Sequence, residues 1–185
     1  MENKDHSLYE IFKSLFYMLF LGLAVYIAGF FGYENLNLKR TAFALDQINE
    51  NMHKNFSAEN DYPAARVIKE KNIAPQDMAE IKAKEYFWRH YFGGNMLISG
   101  VKKAKEPIYN VIFNNLSKRK CKLLANNDWR DNRYFVGIAL QGYSVIAKNA
   151  GDEFLKIERL ITKDVADKLC SCKNGDSCSV ILVYR

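Results

Sequence analysis

Four cysteines carry the most specific chemistry in this 185-residue sequence: Cys121, Cys170, Cys172 and Cys178. A structural zinc site usually draws on two knuckles, each a pair of cysteines two to four residues apart. Here the one tight pair is Cys170-x-Cys172, and Cys121 stands far from the others. An even number, with three crowded near the C-terminus, suits two disulfides in an oxidising compartment. The spacing therefore favours disulfides and a domain outside the cytoplasm; a cytoplasm-facing zinc domain is the competing reading.

The titratable residues offer little catalysis. His6 lies in a polar tail, His53 on a helix and His90 among aromatics, so no two histidines share a motif. A lone histidine more often fills a core or an interface than builds a site. No nucleophile elbow, phosphate-binding loop, HExxH or dinucleotide fingerprint is present. Asp152 and Glu153 fall in a turn and read as solvated. The expectation is a non-enzyme with no cofactor and no metal.

Two basic clusters are candidates for anion contact. Lys102, Lys103 and Lys105 sit on a hairpin turn, and Lys118, Arg119, Lys120 and Lys122 surround Cys121. They could meet nucleic-acid phosphates, acidic polysaccharide or lipid headgroups; the plainer reading is a solvated loop and helix face. The net charge of +6 is spread along the chain, so it permits an anionic partner without requiring one.

The elements that must position these residues are organised around Ser14 to Tyr33, SLFYMLFLGLAVYIAGFFGY, which contains no charged residue. At about 1.5 Å per residue this run is about 30 Å long as a helix, the thickness of a bilayer's hydrocarbon core. Apolar residues go all the way round, where a soluble helix would show a polar face. A secretory signal would have a shorter apolar region, a basic start and a small-residue cleavage site. The run predicts one membrane span. Lys4 and Lys13 precede it and Lys39 and Arg40 follow it, so basic residues do not set its orientation.

Beyond the span, Leu38, Ala42, Leu45, Ile48, Met52 and Phe56 recur at steps of three and four, a single apolar helix stripe. With no Pro or Gly in between, span and stripe form one long helix. The expected division is residues 1–13 as a polar tail or leader, 14–33 as the span, 34–56 as a helical stalk and 57–185 as a globular head. An apolar content of 49% and a charged content of 26% are those of a folded domain.

Within the head, residues 57–61 and Pro63 break the helix. A short helix is predicted at 64–71, another from Pro75 to Glu85, and a core anchor in the aromatic run 86–92. Asn95 to Val101 and Ile108 to Asn114 read as a β-hairpin, Ser117 to Ala125 as a helix and 126–132 as a loop. Tyr134 to Leu140 and Tyr143 to Ala147 read as strands. Residues 154–161 fit strand or helix equally. Thr162 is an N-cap for a helix to Leu169, and Ser179 to Tyr184 is a buried closing strand. The fold class is α+β, a long N-terminal helix packed on an antiparallel sheet.

Several stretches give this order a family likeness. Ala44-Leu-Asp-Gln-Ile48, then Tyr62, then Asn72-Ile-Ala-Pro-Gln-Asp-Met78 resembles the end of the long helix in type IVb-like pilins. Phe92-Gly-Gly-Asn-Met-Leu-Ile98 is similar to the first strand of their heads. Tyr109 to Leu124, YNVIFNNLSKRKCKLL, resembles their next strand running into a cysteine-bearing helix. Val165-Ala-Asp-Lys-Leu-Cys170 and Val180-Ile-Leu-Val-Tyr-Arg185 are similar to their last helix and strand. The chain departs from the family at its start. Glu10 stands where pilins carry a glutamate, but Asp5-His6 occupies the peptidase junction; Gly29-Phe30 with Glu34 has the right spacing and is followed by polar sequence. The mature N-terminus would then be Met1 or His6.

The resemblance implies a subunit of a type IV pilus-like filament, anchored in the inner membrane by one pass, with its C-terminal domain in the periplasm or outside the cell. Its partners would be further copies, other pilins, the lipid bilayer and an inner-membrane assembly platform. Glu10 would act in assembly, its carboxylate relieved by the terminal amine of a neighbouring subunit, because an unpaired carboxylate in apolar surroundings is costly. The implied pairing is Cys121 with Cys170, leaving Cys172 and Cys178 to close CKNGDSC with Gly175 at its turn; Cys121 with Cys172 is the alternative. The rival function is a membrane-anchored periplasmic binding or adhesion module that never polymerises.

Overall fold

The structure is a computed structural model that describes residues 3–57, 59, 61–78, 86–101, 107–140, 143–145, 162–170, 172 and 177–185. Two compact units divide the chain, Met1–Asn37 and Leu38–Arg185. Helix α1, Asn3–Phe56, runs through the first and into the second. In the first unit the helix satisfies every backbone polar group of the charge-free run internally, as an apolar environment demands. Tyr17, Met18, Leu19, Phe20, Val25 and Tyr26 are all more than half exposed.

The second unit opens with the remainder of α1. Thr41, Ala44, Leu45, Ile48, Asn49, Met52 and Phe56 are buried, and their spacing puts them on one helix face. The expected stripe is therefore present, widened by Thr41 and Asn49. The helix ends where Ser57 N–H donates to the His53 carbonyl at 3.0 Å. Helix α2, Ala65–Glu70, follows and buries Ile68. Asn72, with φ of 51°, turns the chain in the left-handed region that asparagine tolerates. Residues 75–78 form a turn in which Met78 N–H donates to the Pro75 carbonyl. The helix expected from Pro75 thus opens as a turn; 79–85 lie outside the described residues.

The aromatic run does anchor the core, through Trp88 and Phe92, and it also supplies a two-residue strand, β1, Trp88–Arg89. It pairs with β2, Asn95–Gly100, across a turn at Gly93, whose φ of 86° suits glycine. Strand β2 pairs in turn with β3, Tyr109–Leu116, in unbroken register from Asn95↔Asn114 to Gly100↔Tyr109. Helix α3, Lys118–Asn126, is capped by Ser117. Strands β4, Phe135–Leu140, and β5, Tyr143–Val145, form a second hairpin. Thr162 caps helix α4, Lys163–Leu169, and β6, Cys178–Tyr184, is last. Residues 154–161 lie outside the described residues.

The six strands form one antiparallel sheet in the order β1-β2-β3-β6-β4-β5. The last strand in sequence lies in the middle, paired on both sides, which explains its nearly continuous apolar run. Val180, Leu182 and Tyr184 share the main core with the α1 stripe and with Cys121 and Leu124 of α3. Val183 packs on the other face with Ile108 and Val136. The α+β class and the antiparallel sheet are as read from the sequence.

Candidate functional site

The apolar stretch of α1 is the first candidate. A phenyl or isobutyl group left exposed forgoes roughly 2 kcal/mol of burial, and side chains from Phe12 through Phe31 are exposed in series. By length and composition this helix is able to cross a membrane. A patch this extensive marks a surface made to be covered by lipid or protein. Glu10 lies one turn before it, more than half exposed, with its carboxylate 3.9 Å from Lys13 Nζ. An exposed pair at that distance contributes little in water.

A second candidate is the cysteine-bearing edge of the head. Cys121 is bonded to Cys170, with Cα atoms 5.8 Å apart, tying α3 to the end of α4. Cys172 is bonded to Cys178, Cα atoms 5.2 Å apart, tying the residues after α4 to the start of β6. Cys178 lies opposite Leu116 of β3 in the sheet, so the two bonds link both helices to the central strands. In the loop-entropy account the longer loop is worth about 4 kcal/mol and the shorter about 2. Cys121, Cys170 and Cys178 are almost fully buried, whereas Cys172 is half-buried. Gly175 lies outside the described residues.

The basic residues of α3 are partly turned inward. Lys120 Nζ donates to the Phe92 carbonyl at 2.9 Å, fastening α3 to the β1–β2 turn. Lys122 Nζ pairs with the Asp167 carboxylate of α4. That bond holds the Asp167 carboxyl below the usual carboxylate range, with Lys163 and Lys118 adding to the effect. Lys118 and Arg119 are exposed. Lys102, Lys103 and Lys105 lie outside the described residues; among the described residues, the cluster around Cys121 is on α3.

Both described histidine side chains have structural partners. His90, 1% exposed, uses Nε2 to reach the Asn114 carbonyl at 3.1 Å and accepts from Phe92 N–H at Nδ1. Burial lowers its pKa, the Asn114 bond opposes this, and Lys120 lowers it further. His53 stacks on Tyr134 at 3.9 Å and meets the Arg185 carbonyl through Nε2 at 2.8 Å. A cleft of about 530 Å³ opens beside this stack, bounded by Tyr62, Arg133 and Glu59. Among the described residues no three His, Cys, Asp or Glu side chains converge as metal ligands.

Sequence reasoning missed a buried polar cluster beneath α1. Tyr109 donates its hydroxyl to Asn49 Oδ1, stacks on Tyr184 at 5.6 Å and meets Tyr62 edge-on at 4.8 Å. Burial pushes the Tyr109 and Tyr184 phenols up, so both stay neutral. Asn49 Nδ2 and the Tyr184 hydroxyl have no partner among the described residues. The available signal was Asn49 itself, a carboxamide beside Ile48 on the core stripe.

No family model matches the chain, and no curated protein does. Among solved structures, the chain is similar to TcpA, a type IV pilin from Vibrio cholerae El Tor biotype. The two are 15% identical with a TM-score of 0.48, and the likeness covers 81% of this chain and 99% of the other.

Proposed function

We propose that this chain is a structural subunit of a type IV pilus-like filament, type IVb-like in its head, anchored in the inner membrane before assembly. One observation carries the reading. A single helix presents a bilayer-length surface that is apolar on every side and exposed, and its later turns bury a stripe against a sheet. Lipid covers that surface in the anchored chain, and the same surface of other copies covers it after assembly. Glu10, one turn before the apolar run, is placed to meet a neighbour's amine once water is excluded. The two disulfides fit a head that folds on the periplasmic side, and the chain acts by packing, without catalysis.

The test is to shear surface filaments from cells expressing the chain and to probe the sheared and envelope fractions for it. The expected result is intact chain in both, with filaments labelled along their length by antibody to the head. Chain confined to the envelope, with no labelled filament, would overturn the reading in favour of an anchored periplasmic module that does not polymerise. Free thiols throughout, or bound zinc, would place the head in the cytoplasm and end both.

A further inference from the structure

A groove of about 590 Å³ runs between α1 and the loop of residues 72–77, within the size range of small-molecule sites. Its walls are held without using most of their polar atoms. Asn51 Nδ2 donates to the Ile73 carbonyl at 3.0 Å, and the Tyr91 hydroxyl donates to Asp77 Oδ2 at 2.7 Å. Among the described residues, the carboxamides of Gln47, Asn72 and Gln76 and the carboxylate of Glu50 make no hydrogen bond. Beside them stands Phe43, 65% exposed, an apolar ring on the helix face that also carries Lys39, Asp46 and Glu50.

This is a specific composition. Carboxamides offer a donor and an acceptor in one plane, and carboxylates offer two acceptors. Adjacent hydroxyls on a pyranose ring need both. An aromatic ring has a negative face, which attracts the polarised C–H groups on the flat side of a sugar. The lining holds two carboxylates, Glu50 and Asp77, and no lysine, arginine or histidine; Arg40, whose charge reaches Tyr91, and Lys39 are offset by these and by Asp46, so the balance at the groove disfavours anionic ligands.

We propose that this groove binds a neutral saccharide, one pyranose stacked on Phe43 with its hydroxyls bonded to Gln47, Glu50, Asn72, Gln76 and Asp77. The inference goes beyond the filament reading and does not depend on it, since the groove is complete in a single chain.

Saturation-transfer NMR on the full chain in detergent tests it. The probes are methyl β-D-galactopyranoside, methyl β-D-glucopyranoside and methyl α-D-mannopyranoside, with D-glucuronate as the charged control. At least one neutral probe should take up saturation at its ring C–H positions, with affinity of about millimolar order for so small a ligand. Phe43→Ala should weaken it by about tenfold or more, Phe43→Trp should keep it, and Gln76→Ala should reduce it. Phe43 is exposed, so tryptophan-fluorescence melting should show Phe43→Ala as stable as the parent. No transfer to any neutral probe, equal transfer in Phe43→Ala, or glucuronate binding as strongly would each overturn the proposal. So would a photo-crosslinker at Gln76 that captures a second copy in filaments, which would assign the groove to subunit contact.

Discussion

Gly100 ends β2 where the chain passes the Tyr62–Pro63 segment, and its N–H donates to the Pro63 carbonyl at 3.0 Å. A Cβ there would fall inside contact distance of the Tyr62 carbonyl and 2.8 Å from the Pro63 oxygen. Both are backbone atoms, so no rotamer change relieves the overlap. Gly100→Ala must push the loop away, losing a net hydrogen bond of about 1 kcal/mol and straining a packed region by about 1–3 kcal/mol. Restricting the unfolded chain returns about 0.4–1 kcal/mol, which leaves a net loss of about 1–3.6 kcal/mol. For a unit of roughly 150 residues that is a fall of about 3–11 °C in Tm. Trp88 and Trp129 are the chain's two tryptophans and both are buried in this unit, so their fluorescence reports its melting in detergent-solubilised full chain. Gly22→Ala is the control, since a Cβ added there would meet nothing within 4 Å. A Gly100→Ala midpoint within about 2 °C of the parent would refute the reasoning and show that the 62–63 segment yields freely.

Four further outcomes follow from the buried groups and the disulfides. Burial depresses the His90 pKa in the folded state, so the unfolded chain takes up that proton first; the stability is complete above about pH 6.5 and declines as pH falls below it. Urea melts at pH 7.5 and 5.5 should show a smaller loss for His90→Gln than for the parent, even though the variant starts less stable. Removing the Tyr109 hydroxyl or the Asn49 amide alone should cost about 1–3 kcal/mol, whereas Asn49→Leu with Tyr109→Phe should cost much less than the sum in a double-mutant cycle. On graded reduction with alkylation, mass mapping should find the half-buried Cys172 and its partner labelled before Cys121 and Cys170. Replacing the Cys121–Cys170 pair by alanine should cost about 4 kcal/mol against about 2 for the other.

Much of this architecture is legible in the sequence because two periodicities are strong. The stripe from Leu38 to Phe56 repeats at helical spacing, and the hairpin of β2 and β3 alternates cleanly, so α1, β2 and β3 fall where the pattern puts them. Ser117 and Thr162 mark helix starts by local hydrogen bonding to Lys120 and Val165 amides, which needs no tertiary knowledge. What escapes is whatever depends on partners distant in the chain. Nothing local says that β6 enters between β3 and β4 or that two residues at Trp88 pair with Met96. Lys120 and Lys122 read as a free basic cluster until Phe92 and Asp167 are brought beside them. The buried Asn49–Tyr109 pair links residues 60 positions apart, and the groove at Phe43 exists only once the 72–77 loop lies alongside α1.

The central claim is that the apolar surface of α1 is made to pack against other copies. Phe20, 64% exposed near the middle of that surface, is the place to test it. A photo-crosslinking amino acid replaces Phe20, cells are irradiated, and the sheared surface fraction is resolved under denaturing conditions. The account predicts a ladder of chain-to-chain adducts in that fraction, absent without irradiation. Adducts to lipid alone, with the chain confined to the envelope and no multimer at any exposure, would contradict it.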